Sequence, residues 1–223
     1  MNRDCFEYSD TDRYGASIYA SSAIARMNLT STVRCADAVN LNPFDAIYFD
    51  RSDIISKNCN SSFNTNSESA GFQGNNNSNY RVSYLLCSDG TGRCSMEVTR
   101  QSIDAFIDHV VFVNNTVITK GIFYLYSTLN FYLDNVIMTG NIGNGFDGSN
   151  VIFSNCYYYS DYPLGIAGET PGVTFLKSPT ISWMNEFFQS QDCRHQVKLS
   201  ESLFLKTLNN FWILFASFYL IFA

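Results

Sequence analysis

Two aspartates are the residues of this sequence whose type and spacing could support chemistry. Asp108 and Asp134 stand at equivalent places in two similar segments, FIDHVVFVNN (106–115) and YLDNVIMTGN (132–141). If these segments are stacked strands, the two backbones lie about 4.8 Å apart. Carboxylates that close could bind Ca²⁺ or act as the acid and base of a glycosidase. The simpler interpretation is a pair of solvated turn residues.

Other reactive side chains give weaker signals. His109 could be a base, or it could take the place of an asparagine at a turn. His195 lies close to Cys193 but has no further ligands nearby, and the seven cysteines form no C-x-x-C pair. Motifs for nucleotide binding, zinc hydrolysis and serine hydrolysis are absent. We therefore predict no metal, no cofactor and no enzymatic activity.

A cluster of tyrosines is the candidate binding surface. Its members are Tyr157, Tyr158, Tyr159 and Tyr162. Successive strand residues point to opposite faces, so some of these rings must face outward. Exposed tyrosines suit stacking on a sugar or contact with a protein. Packing on the surface of the domain is the alternative.

The composition narrows the class of protein. Only 15% of the 223 residues are charged, whereas 46% are hydrophobic and 16% are aromatic. The net charge of −6 and the pI of about 4.8 argue against nucleic-acid binding. The many Phe, Tyr and Ile residues argue against disorder, and the mixture of aromatic, β-branched and small polar residues favours β-structure.

An internal repeat explains where these residues fall. A polar pair between two β-prone runs recurs six times, and its second member falls at 32, 58, 84, 109, 135 and 155. The following residue is always apolar: Val33, Cys59, Leu85, Val110, Val136 and Cys156. Six positions after the pair stand Ala38, Asn64, Gly90, Asn115, Asn141 and Asp161, which mostly tolerate the positive φ of turns.

A regular period of about 25 residues, without helical periodicity, predicts a β-solenoid with three short strands per coil. Identical positions then stack, and asparagines can form hydrogen bonds along a column. We predict such a ladder at Asn58, Asn135 and Asn155, with His109 as an irregular member.

The coil motif, seen as ISKNC (55–59), FIDHV, YLDNV and IFSNC, resembles that of the right-handed, pectate-lyase-like parallel β-helix family. Together with the apolar C-terminus, it is most similar to the multicopy β-helix surface proteins of flagellated parasitic protists. The resemblance implies an all-β, right-handed parallel β-helix of about six coils and a role in surface display or adhesion. Many β-helix proteins are polysaccharide lyases or hydrolases.

The organisation along the chain follows from these segments. We expect a frayed or partial coil over 1–14, the parallel β-helix over 15–165 and a C-terminal cap over 166–192. A polar linker over 193–202 then leads to a hydrophobic helix over 203–223. Its last thirteen residues, FWILFASFYLIFA, contain one polar side chain, which favours a membrane anchor over a segment packed on the domain or a cleaved lipid-anchor signal.

These observations predict a non-enzymatic surface, adhesion or interaction module, anchored at its C-terminus and located in a membrane at the cell surface. No signal peptide is visible at the N-terminus. The expected partner is a host or self surface protein or a glycan, not a nucleic acid. The alternatives are a carbohydrate-active enzyme that uses Asp108 and Asp134, and a degenerate or truncated copy without activity.

Overall fold

The computed structural model describes residues 5–7, 17–33, 35, 45–65, 68–162 and 164–165. These residues form an all-β parallel solenoid of about five turns, without a helix among them. In chain order the strands are β1 (Cys5–Glu7), β2 (Ile18–Ser21), β3 (Ile24–Asn28), β4 (Ser31–Val33), β5 (Asp45–Asp50), β6 (Asp53–Ser62), β7 (Ser69–Asn75), β8 (Asn79–Ser88), β9 (Thr91–Gly92), β10 (Cys94–Thr99), β11 (Ala105–Val113), β12 (Thr116–Val117), β13 (Phe123–Tyr126), β14 (Phe131–Thr139), β15 (Phe146–Gly148), β16 (Val151–Ser154) and β17 (Tyr157–Tyr159).

The strands form three sheets, and every pairing is parallel. Sheet A follows the order β1-β4-β6-β8-β11-β14-β16, with β3 beside β6 and β17 beside β14. Sheet B follows the order β15-β13-β10-β7-β5-β2, and sheet C is the short pair β12-β9. Each coil therefore contributes a long strand to sheet A and a shorter one to sheet B, as the predicted solenoid requires.

The register of sheet A confirms the repeat from its second coil onward. Lys57, Ser83, Asp108, Asp134 and Ser154 are successive partners in neighbouring strands.

The first member of the predicted repeat is wrong. Thr32 pairs with Ser61, whereas Asn28 pairs with Lys57, so Leu29 occupies the position that the repeat assigned to Thr32. The first coil is longer than the coils that follow it, and a fixed period therefore points three positions too far along the chain.

Residues with left-handed backbone conformation stand in columns that bend the coils. The first column kinks the long strands of sheet A and has φ between 51 and 57°. Its members are Leu29, Asn58, Tyr84, His109, Asn135 and Asn155. A second column, at the end of these strands, contains Phe63, Asp89, Asn114 and Gly140, and a third contains Ser22, Arg51, Asn76 and Arg100. The abundance of asparagine fits these columns, because Asn adopts positive φ more easily than most residues.

The core lies inside the coils and contains the predicted apolar column. Val33, Cys59, Leu85, Val110, Val136 and Cys156 are all buried. The five cysteines at 35, 59, 87, 94 and 156 are buried. Burial raises the pKa of the Cys59 and Cys87 thiols, so these side chains behave as small apolar residues.

The column predicted to hold turn residues has a different role. Asn64, Asn115 and Asn141 are at most 3% exposed, and none of them has a positive φ. The Asn115 side chain accepts a hydrogen bond from the Gly90 N–H at 3.0 Å, and its Nδ2 donates to Asn141 Oδ1 at 3.1 Å. The left-handed residue is the one before each asparagine, and the asparagine turns inward to satisfy the backbone of neighbouring coils.

Several expected segments lie outside the described residues. These are most of 1–14, the cap over 166–192, the linker over 193–202 and the hydrophobic segment over 203–223. Within the part of the chain that the structure describes, no helix has the length and apolar character needed to cross a bilayer.

Candidate functional site

The two aspartates singled out by sequence lie on the outer side of sheet A. Asp108 in β11 and Asp134 in β14 are direct register partners. His109 Nδ1 lies 2.8 Å from Asp108 Oδ2, and it donates to this oxygen in the tautomer that carries the proton on Nδ1. Asp134 accepts from Asn135 Nδ2 and Asn155 Nδ2, both at 2.9 Å. Each carboxylate is therefore held by amide or imidazole donors of its own or the next coil.

The predicted asparagine ladder occupies one column but is interrupted. Asn58 Nδ2 donates to Asn28 Oδ1 at 3.2 Å, which links the first two coils. Tyr84 and His109 then stack with their ring centroids 4.8 Å apart and their planes 13° from parallel. These two rings separate Asn58 from Asn135, and the amides of Asn135 and Asn155 both donate to Asp134 in the neighbouring column. The column therefore combines ring stacking in its middle with amide contacts to the neighbouring column at its ends.

An apolar and aromatic column runs beside the aspartates on the same face. Its members in successive coils are Ile55, Arg81, Phe106, Tyr132 and Ile152. The rings of Phe106 and Tyr132 stack at 5.1 Å, and the Arg81 guanidinium lies 4.9 Å from the centroid of Phe106. Ile55, Phe106 and Ile152 are 40%, 38% and 45% exposed, so this column is open to a partner.

The four tyrosines of the predicted binding cluster do not share one surface. Tyr157 is only 5% exposed, whereas Tyr159 is 58% and Tyr162 is 43% exposed. The Tyr158 hydroxyl donates to the Tyr162 carbonyl at 2.6 Å and holds the chain that follows β17. Burial raises the pKa of both Tyr157 and Tyr158. Tyr159 and Tyr162 alone offer substantial ring area to solvent.

A cleft on the outer side of sheet B was not anticipated from the sequence. It has a volume of about 400 Å³. Its lining residues are Gln73, Asn75, Glu97, Thr99, Arg100, Lys120, Tyr124 and Tyr126. The strands β7, β10 and β13 position most of them, because Gln73, Glu97 and Tyr124 are register partners in successive coils and so are Asn75, Thr99 and Tyr126.

A charged pair forms the wall of this sheet B cleft. Lys120 Nζ lies 2.6 Å from Glu97 Oε2, 3.5 Å from Glu68 Oε2 and 3.9 Å from the centroid of the Tyr124 ring. Burial alone would lower the pKa of Lys120, but the hydrogen bond and charge of Glu97, with smaller contributions that include Glu68, raise it. Lys120 therefore remains charged although only 12% of its side chain is exposed. The pair fixes the ring of Tyr124 from one side.

The rim of the sheet B cleft combines a phenol, a guanidinium and small polar groups. The Tyr126 hydroxyl donates to Asp147 Oδ1 at 2.6 Å, and this bond raises the pKa of Tyr126 to about 12. Thr99 Oγ1 donates to Asn75 Oδ1 at 3.0 Å. Arg100 is exposed and forms no ion pair with any residue that the structure describes. The cleft thus presents ring surface beside several donors and acceptors.

The surroundings restrict what these sites can hold. Among the described residues, no group of three or more His, Cys, Asp or Glu side chains is placed to bind a metal ion. The chain matches no protein-family model, and no curated protein and no solved structure matches it. The side chains on the outer sides of sheets A and B are therefore the basis for inferring its function.

A signal for the sheet B cleft was present in the sequence. Gln73, Glu97 and Tyr124 recur at intervals close to the period of sheet A. Columns built from the regular coil spacing of sheet A miss this signal, because the coil spacing in sheet B is less regular. Extending the columns to the second sheet brings these polar and aromatic residues together.

Proposed function

We propose that this protein is a non-enzymatic interaction module that binds glycans through the sheet B cleft. The observation that carries the proposal is the lining of that cleft, where Tyr124 and Tyr126 stand beside Gln73, Asn75 and Thr99. A sugar ring offers C–H groups to aromatic faces and hydroxyls to amides and carboxylates. A volume of about 400 Å³ lies within the usual range for small-ligand sites.

The sheet B cleft is also organised before a ligand arrives. Glu97 and Lys120 already bond to one another, and Tyr124 already packs against the Lys120 ammonium. Binding then requires little ordering of these side chains, which reduces its entropic cost. Arg100 at the rim can add a charge-assisted hydrogen bond to a hydroxyl or an acidic group.

The direct test is titration of the purified full chain with a panel of neutral, amino and acidic mono- and oligosaccharides. Tyr126→Ala should weaken binding at least tenfold, because stacking on an aromatic side chain is lost from the cleft. Tyr159→Ala is the matched control, since Tyr159 is exposed but belongs to sheet A.

The outcome separates the competing functions. Loss of binding in the Tyr126 variant and its retention in the Tyr159 variant support the sheet B cleft. A folded chain that binds no saccharide in the panel contradicts a glycan site and favours a protein partner or a degenerate copy without activity. Equal loss in both variants would place the effect on stability and not on the cleft.

We further propose that the solenoid is a right-handed parallel β-helix similar to the protist surface proteins, and that residues 203–223 anchor it to a membrane at the cell surface. The parallel sheets and the nearly constant interval between their register partners support the first part. The apolar run FWILFASFYLIFA supports the second. Protease treatment of intact cells tests the location, because a domain at the surface should be cleaved and a protected one contradicts surface display.

A carbohydrate-active enzyme is the second candidate, and the register of Asp108 with Asp134 is the observation that favours it. Asp108→Asn and Asp134→Asn should then each abolish the release of reducing ends or unsaturated sugars from a polysaccharide. Activity that survives both substitutions, or that is absent from the parent chain, argues against this candidate.

A further inference from the structure

Four charged side chains on the outer side of sheet A are ordered by sign along the solenoid axis, whereas Asp53 at the start of β6 accepts a hydrogen bond from the Ser78 hydroxyl. We call this surface the sheet A face and define it by Ile55, Lys57, Arg81, Ser83, Phe106, Asp108, Tyr132, Asp134 and Ile152. Lys57 and Arg81 belong to β6 and β8, whereas Asp108 and Asp134 belong to the next two strands, β11 and β14. The face is therefore positive in its N-terminal half and negative in its C-terminal half.

The same surface carries apolar side chains that are open to solvent. Ile55, Phe106 and Ile152 are each at least 38% exposed, and Lys57 and Arg81 are exposed as well. A column of mainly apolar side chains beside a column whose charge changes sign along the axis is self-complementary when a second copy is turned around. We propose that the sheet A face is a homodimer interface in which two copies pack face to face with their solenoid axes antiparallel.

The register fixes which residues meet in this dimer. The two-fold axis runs parallel to the strands and passes between β8 and β11, so each column faces itself in reverse order. Lys57 then lies opposite Asp134 of the second copy, and Ser83 lies opposite Asp108. In the neighbouring column the guanidinium of Arg81 meets the ring of Phe106, an arrangement that each chain already makes internally at 4.9 Å.

The apolar members of the column also match in this orientation. Ile55 faces Tyr132 of the second copy, so the strip on either side of the axis is filled by aliphatic and aromatic contacts. The bordering positions bring Asn58 opposite Asn135 and Tyr84 opposite His109. No pair of like charges is created by any of these juxtapositions.

A dimer with parallel solenoid axes is unfavourable, because it brings like charges of the same column together. With the solenoid axes parallel and the two-fold axis over the charged column, each residue of that column would face its own copy. Lys57 would then meet Lys57, and Asp134 would meet Asp134. Like charges placed opposite one another at an interface cost several kcal/mol. The charge order along the axis therefore selects the antiparallel dimer.

The size of the sheet A face predicts the strength of the contact. Five strands at about 4.8 Å spacing and five residues of each strand cover roughly 400 Å² per copy. The total of roughly 800 Å² is below the size of a standard specific interface and fits a weak, transient contact. We expect a reversible dimer in the micromolar range that forms readily where the local concentration is high, as on a membrane surface.

The experiment uses charge exchange in the full chain. Lys57→Glu and Asp134→Lys should each weaken dimerisation at least tenfold, because either substitution creates two repulsive pairs per dimer. When the two variants are mixed, every repulsive pair becomes attractive, so a mixed dimer should form with an affinity close to that of the parent. Sedimentation over a micromolar concentration series and energy transfer between differently labelled variants measure both quantities.

The control pairs Lys57→Glu with Asp161→Lys, because Asp161 is exposed but lies outside the sheet A face. In this mixture the Asp161→Lys variant should dimerise with itself as the parent does. Its mixed dimer with Lys57→Glu retains one repulsive pair, so energy transfer between the two labels should stay below that of the matched variants. Unfolding midpoints of the single variants establish that each remains folded. A parent chain that stays monomeric throughout the series overturns the proposal, and so does association that is insensitive to both substitutions, since that would arise from another part of the chain.

Discussion

The buried asparagine column provides the sharpest test of how the coils are held together. Asn115 is 1% exposed and forms four side-chain hydrogen bonds. Its Nδ2 donates to the carbonyls of Cys87 at 2.9 Å and Val113 at 3.2 Å and to Asn141 Oδ1 at 3.1 Å, and its Oδ1 accepts from the Gly90 N–H at 3.0 Å. Asn115→Ala removes all four bonds and leaves the Gly90 donor without this partner.

The expected loss follows from those contacts. A neutral hydrogen bond contributes about 1 kcal/mol, and a buried group left unsatisfied costs about 1–3 kcal/mol. Asn141 Oδ1 still accepts from the Asn115 N–H, and the Val113 carbonyl still accepts from the Asp89 N–H. These two acceptors therefore lose only part of their hydrogen bonding. We therefore expect Asn115→Ala to lower the free energy of unfolding by about 3 kcal/mol.

Two measurements check this value. Denaturant unfolding followed by circular dichroism gives the change in stability, and hydrogen exchange of the Gly90 amide reports on the contact itself. Asn76→Gly is the matched control, since Asn76 is an exposed asparagine at a φ of 52°, which glycine adopts without strain. It should cost less than about 0.5 kcal/mol. A loss in the Asn115 variant no larger than that of the control, or a Gly90 amide that stays protected, would refute the reasoning.

Three further substitutions follow from the backbone columns and the titrating groups. Leu29→Asn should stabilise the domain by about 0.5–1 kcal/mol in denaturant unfolding, because φ is 57° there and asparagine tolerates this conformation better than leucine. Asp89→Asn should raise the melting temperature at neutral pH but not at strongly acidic pH, since burial raises the pKa of Asp89 and the ionised form is the one that destabilises the fold. Asp147→Asn should shift the spectrophotometric titration of Tyr126 down from about 12 toward 10, and the parent should lose the stability contributed by this pair as the pH rises through that range.

Sequence reasoning succeeded where one sheet carried a regular signal. The coils between Lys57 and Asp134 are nearly constant in length, so columns read at a fixed period gave the core residues and the Asp108–Asp134 register correctly. Alternation alone would place Asp108 and Val110 on the same face, because they are two residues apart. The left-handed residues between the pairs, His109 and Asn135, turn the strand, so the aspartates face outward while Val110 and Val136 point inward.

The remaining features could not be obtained from spacing alone. Leu29, Tyr84 and His109 share the left-handed column with asparagines, so residue type does not mark the column by itself. Two adjacent asparagines have different roles, which residue type alone does not distinguish. Asn114 has a φ of 56° and bends the strand, whereas the side chain of Asn115 points inward and bonds to the backbone.

The second sheet adds an irregularity of its own. In sheet B the interval from Glu97 to its partner Tyr124 is longer than the interval from Tyr124 to its partner Asp147. Because coil length varies there, the residues of the cleft fall into common columns only when each coil is aligned with its own length.

Stacked coils place equal positions about 4.8 Å apart, so a column of like charges should be avoided. Asp108 above Asp134 is an exception, and the hydrogen bonds explain why it is tolerated. His109 donates to one carboxylate, and Asn135 and Asn155 donate to the other, so both charges are partly neutralised within the face. These donors leave the outer edge of the pair open to solvent, where a residual negative charge is available for Lys57 of a second copy. The low charge content of the chain then has two consequences, since it permits close stacking and leaves the few charged columns to direct association.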